Sequence, residues 1–92
     1  MQITAEAAAN EIRRVFNKLA AGTADYLMSV AELATATTLT TSEMQAGALH
    51  LIKTDPKVWI FPESNQKVLL PEERIYALQI GGQRKHWITW TR

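Results

Sequence analysis

The chain has 92 residues, 47% of them hydrophobic and 21% charged, with a formal net charge of +1. That length and balance suit one small globular domain, 1–92, and exclude a disordered chain. With no cysteine there is neither a disulfide framework nor a thiolate metal site, and no stretch reaches the roughly 18 apolar residues of a membrane span. A soluble cytoplasmic protein without membrane association is expected.

Charge is uneven along the chain. Residues 1–50 carry three basic side chains against five acidic, and residues 51–92 carry seven against four. Any polyanion contact should therefore lean on the C-terminal half.

Residues 4–21 predict a helix. Ala8, Ile12, Val15, Phe16 and Leu19 recur at helical spacing on one face, and Arg13, Arg14 and Lys18 lie on the polar side. Thr4 is the expected N-cap, Glu6 suits the positive helix end, and Gly22 stands where a left-handed C-terminal residue is wanted. Residues 25–29, "DYLMS", read either as one short strand or as linker.

Two capping-box spacings follow, Ser29 with Glu32 and Thr40 with Glu43. The first opens a brief helix whose buried side is Val30, Leu33 and Ala34 and which stops near Thr37 and Thr38, where β-branched residues weaken it. The second opens a longer helix with Met44, Ala48, Leu51 and Ile52 turned inward. Pro56 cannot continue that helix, so it ends by about Thr54. Two boxes eleven residues apart, joined by a short turn holding Leu39, make a helix-turn-helix signal.

Residues 57–61, "KVWIF", and 85–91, "KHWITWT", are β-branched and aromatic and are expected to pair as antiparallel strands. Trp59 and Phe61 share one face, Val58 and Ile60 the other, so at least one large aromatic should be partly exposed or covered by a partner, the 62–84 segment or another subunit. Residues 62–67 are polar turn material. The stretch 71–80 reads two ways. Pro71-Glu72-Glu73 suits a helix start, the preferred reading, whereas "RIYALQI" could be a strand turning through Gly81-Gly82.

The segment Ser29 to Ile52, "SVAELATATTLTTSEMQAGALHLI", resembles bacterial regulators of the winged helix-turn-helix superfamily, in which an "ELA" helix meets an "L-(S/T)-x-S" turn. Here these are Glu32-Leu33-Ala34 and Leu39-Thr40-Thr41-Ser42. The element order matches as well. The departures are Thr38 where many such turns carry Gly, Ala48 where a larger Leu is usual, and the long segment 62–84 between the last strands. The resemblance implies an α+β winged helix-turn-helix fold and double-stranded DNA binding by a small transcriptional regulator. Winged helices also serve as protein-interaction modules.

On that reading the 41–53 helix would enter the major groove. Its outward stripe is Ser42, Ala46, Leu49 and Lys53, flanked by Gln45 and His50, with Thr41 at the start. Thr41 and Ser42 would reach phosphates or base edges, Gln45 an adenine edge, Ala46 and Leu49 thymine methyls, and Lys53 a phosphate. Ala46 and Gly47, being small, would permit close approach. One basic residue is too few for the phosphate contacts that dominate affinity, so Gln83, Arg84 and Lys85, beside the Gly81-Gly82 turn, are the candidate basic wing. A homodimer, through the first helix or the sheet, would double this footprint. The exposed Leu49 and a Trp instead suit a protein partner.

An enzyme is not expected. His50 and His86 are the only histidines, the adjacent Glu72 and Glu73 diverge on either a helix or a strand, and "IGGQ" lacks nucleotide-loop context. No cofactor or metal is expected.

Overall fold

The computed structural model describes residues 3–21 and 26–91. Gly22 and Asp25, for which a helix stop and a strand start are expected, lie outside them. The elements in chain order are α1 (Ala5–Ala20), β1 (Met28–Ser29), α2 (Val30–Ala36), α3 (Thr41–Thr54), β2 (Val58–Phe61), a 3-10 turn (Gln66–Val68), α4 (Pro71–Ile75), β3 (Leu78–Ile80), β4 (Gln83–Lys85) and β5 (Trp87–Trp90). The fold is α+β, with a three-stranded antiparallel sheet of order β1-β5-β2 and a separate β3–β4 hairpin.

Helix α1 begins as expected, with the Thr4 hydroxyl accepting from the Ala7 amide. It ends at Ala20, and Ala21 takes the left-handed conformation at φ 44°. The inner face is also rotated from the expectation. Leu19 is exposed, and Ala9 and Ala20 are buried beside Ile12, Val15 and Phe16.

Helix α2 starts at Ser29, whose hydroxyl accepts the Glu32 amide at 3.0 Å. Its box is half made, because the Glu32 carboxylate accepts from the Tyr26 hydroxyl instead. The box of α3 is complete. Thr40 Oγ1 accepts the Glu43 amide at 3.1 Å and Glu43 Oε1 accepts the Thr40 amide at 2.8 Å. The second Glu43 oxygen accepts the Ile3 amide, tying the start of the chain to α3. These backbone bonds, first that of Thr40 and then that of Ile3, hold the Glu43 carboxyl below its ordinary pKa.

Helix α3 ends at Thr54, and Asp55 caps it ahead of Pro56. The Asp55 carboxylate gathers three donors: Trp90 Nε1, the Lys57 amide and Arg13 Nη2. Of the expected inner face, Met44, Ala48 and Leu51 are buried, but Ile52 is 43% exposed. The buried arc extends the other way, through Glu43 and Gly47, because α1 packs on that side. An added Cβ at Gly47 would lie 2.9 Å from Ala8 and from Ile12 Cδ1. Gly47 thus serves the α1–α3 contact rather than an approach to DNA.

The expected pairing of the two aromatic strands is present, with Val58 opposite Trp90, Trp59 opposite Thr89, Ile60 opposite Ile88 and Phe61 opposite Trp87. Ile88 and Met28 enter the core. Trp90 packs on Phe16 with the rings tilted by 56° at a centroid distance of 4.6 Å. The alternation places Trp59, Phe61 and Trp87 on the opposite face, and Trp59 is 58% exposed. "DYLMS" contributes a strand, at Met28–Ser29 only.

Both readings of 71–80 hold in part. Pro71–Ile75 is helical, with the Leu70 amide bonded to Glu73, and Leu78–Ile80 is a strand that turns through Gly81 and Gly82 into β4. Both glycines have positive φ, 61° and 78°, as a two-residue hairpin turn requires. Among the described residues, no helix is long and apolar enough to cross a membrane.

Candidate nucleic-acid interface

The structure divides the sequence-predicted residues into three groups. Thr41, Ser42 and Lys53 are exposed on α3, and Leu49 lies between them at 36% exposure, with Ala46 half-buried in the same stripe. Gln83 and Arg84 are exposed on β4, and Lys85 is half-buried. His50 sits half-buried to one side of the stripe, and its carbonyl accepts the Thr54 hydroxyl.

Gln45 joins the helix to the hairpin. Its amide oxygen accepts the Gln79 backbone N–H at 2.9 Å, and its amide nitrogen donates to the Gln79 carbonyl. A side chain amide here pairs with a strand as another strand would. Gln45 is therefore committed to β3 and does not present the free amide that reading an adenine edge requires. In return, the β3–β4 hairpin is held against the N-terminal half of α3.

Strand register decides which hairpin side chains accompany α3. Leu78 faces Lys85 and Ile80 faces Gln83, so these four share the inward side. Gln79 faces Arg84 on the outward side. The Arg84 guanidinium donates to the Arg74 carbonyl at 3.0 Å, and Lys85 Nζ donates to Gln83 Oε1 at 2.9 Å. Gln79 is an exposed member of this surface that sequence reasoning misses. The Ile80–Gln83 turn across two glycines contains the signal, because a two-residue hairpin fixes Gln79 opposite Arg84.

His86 follows the candidate wing residues in sequence but does not share their exposure. It is 2% exposed, its Nδ1 accepts the Glu63 amide at 3.0 Å, its backbone N–H donates to Phe61 O, and its carbonyl accepts from Val30 N. Burial holds the imidazole below the ordinary histidine pKa, against the raising influence of Glu63 and Glu73. An open hollow of about 410 Å³, lined by Pro62, Glu63, Gln83, Arg84 and His86, lies beside it. Beneath the α2–α3 turn is a cavity of about 30 Å³ lined by Leu39, Met44, Gln45, Tyr76 and Leu78. That is room for water and not for an organic ligand. Among the described residues no three His, Asp or Glu side chains converge as a metal site would require.

No family profile, curated protein or solved structure matches the chain.

Proposed function

We propose that the domain is a winged helix-turn-helix and that it binds double-stranded DNA, as a small regulator would, with α3 in the major groove and the β3–β4 hairpin as a basic wing on the phosphates. One observation carries the reading. Three helices share a core with a sheet of order β1-β5-β2, and the Gly81-Gly82 hairpin bearing Arg84 and Lys85 is docked on α3 through Gln45 and Gln79. The exposed stripe of α3 has one cation, Lys53, and phosphate contacts dominate affinity. The hairpin supplies the cations next to the helix that would read bases. Thr41 and Ser42, exposed at the amino end of α3, would make phosphate or base-edge contacts. Ala46 and Leu49 offer apolar contact to thymine methyls, and Gln79 adds an exposed amide opposite Arg84, with Gln83 on the other side of β4.

The test is a titration with mixed-sequence duplex DNA, followed amide by amide at low salt. Shifts should concentrate at Ser42, Leu49, Lys53 and Arg84. The Arg84→Ala, Lys85→Ala double variant should reduce the slope of log affinity against log salt by about 1 for each phosphate it leaves without a cation. A duplex that moves none of these amides overturns the proposal.

A second reading is a winged helix that binds a protein. It rests on Leu49 and Ile52, two exposed aliphatic residues one turn apart on α3. Here Leu49→Glu should abolish capture of the partner without changing the fold, and DNA should move no amide.

A further inference from the structure

Strand β2 has a partner on one side only. β5 pairs with it, and among the described residues no strand lies on its other edge. The Thr91 amide donates to the Lys57 carbonyl at 2.8 Å. By the alternation of an antiparallel ladder, Lys57, Trp59 and Phe61 turn their backbone groups toward β5, and Val58 and Ile60 turn theirs toward the open edge. The edge is short and closed at one end by Pro62, which has no N–H to donate. It is nonetheless flanked by the most exposed aromatic of the sheet, Trp59.

We propose that this edge is a homodimer interface, in which β2 pairs antiparallel with β2 of a second copy about a two-fold axis at Ile60, making one continuous six-stranded sheet. The register follows from side-chain chemistry. With Ile60 opposite Ile60, each Trp59 stands opposite Phe61 of the second copy, and each Lys57 stands opposite Glu63 of the second copy. All four residues alternate onto the same outer face, where opposed side chains interact most closely in non-hydrogen-bonded pairs. A shift of the pairing that sets Trp59 opposite Trp59 would instead set each Lys57 against Phe61 and leave Glu63 without a cation opposite it. The charge pattern therefore selects the Ile60-centred register, and the two-fold symmetry makes it self-complementary.

Glu63 is built into this surface. One carboxylate oxygen accepts Trp87 Nε1 at 2.9 Å and the other accepts the Asn65 amide. These bonds hold it ionised, below its ordinary pKa, on the same face as Trp59. The pairing uses the β2 edge with Lys57, Trp59, Phe61 and Glu63, none of which is among the residues proposed to meet DNA.

Sedimentation equilibrium of the full chain, up to about 0.5 mM, should fit a monomer–dimer equilibrium. Lys57→Glu, which sets acid against acid twice, should raise the dissociation constant at least tenfold, and so should Trp59→Lys. Both positions are exposed, and near-ultraviolet circular dichroism should show each variant folded. Should one fail to fold, the other carries the test. Exchange of the Ile60 amide should slow as protein concentration rises. A chain that stays monomeric throughout, a dimer equally strong in both variants, or an Ile60 amide indifferent to concentration overturns the proposal.

Discussion

Gln45 and Gln79 exchange two hydrogen bonds, one side-chain amide meeting both backbone groups of a residue 34 positions away. This single residue ties the β3–β4 hairpin to α3. Replacing it by Ala removes both bonds without removing apolar packing of comparable size. The expected loss is about 1–2 kcal/mol of stability, with the effect on motion more local than that. Amides in residues 78–85 should exchange roughly tenfold faster, and those of α1 should not change. Native-state hydrogen exchange checks this. Uniform acceleration across both segments would show that Gln45 contributes globally and not as a tether.

Gly47 is fixed by a contact and not by its backbone. A methyl group there would press to 2.9 Å on the Ala8 backbone carbon and on Ile12. Gly47→Ala gains about 1 kcal/mol in helix propensity, but overpacking a tight helix crossing costs about 1–3 kcal/mol. A net destabilisation is expected in chemical denaturation, and Gly47→Val should be worse. An Ala variant more stable than the parent would mean that α1 shifts freely away.

How much of this is legible in the sequence follows physical range. The caps at Thr4, Ser29 and Thr40, the stop before Pro56 and the Gly81-Gly82 turn are local, each settled within four residues, and the structure bears them out. The two faces of β2 are also within reach, because Val58 and Ile60 alternate with Trp59 and Phe61. Sequence misleads where a distant element decides. The buried arc of α3 depends on where α1 lies, so helical spacing alone turns Ile52 inward and leaves Gly47 open to DNA, and neither holds. Gln45 reads as a base-contacting side chain because its partner strand is far along the chain. His86 sits in a run of basic residues, yet it is enclosed by its bonds to Phe61, Glu63 and Val30. Nothing in the periodicity of 85–91 records those contacts.

Ala21 terminates α1 in the left-handed region, at φ 44° and ψ 51°, with its amide bonded to the Asn17 carbonyl. A residue with a Cβ pays about 1 kcal/mol there that glycine does not. Ala21→Gly should therefore stabilise the chain, by at most about 0.6 kcal/mol once the greater freedom of glycine in the unfolded state is counted. Thermal melting gives the sign directly. An unchanged or lowered midpoint would mean that the αL cap contributes no strain.

The titratable groups divide the stability–pH profile into two windows. Glu43, Asp55 and Glu63 all have folded pKa values below their ordinary ones: Glu43 through the backbone bonds of Thr40 and Ile3, Asp55 foremost through the Trp90 indole, and Glu63 through the Asn65 amide and the Trp87 indole. Their stabilisation is complete above the unfolded carboxylate range and is lost as pH falls through the folded values. His86 also has a lowered folded pKa, from burial, and its Nδ1 must stay unprotonated to accept the Glu63 amide. Below the unfolded histidine value of about 6.5, the unfolded chain takes up a proton that the folded chain refuses. Stability then falls with pH until the folded value is reached. The parent should lose stability from about pH 6.5 downward, well before the carboxylates titrate. In His86→Gln, whose amide can still accept from Glu63, the decline in the histidine window should flatten while the acid limb below about pH 4.5 persists. Urea titrations at half-unit pH steps separate the two limbs. A His86→Gln profile parallel to the parent between about pH 7 and 5 would assign the upper limb to another group.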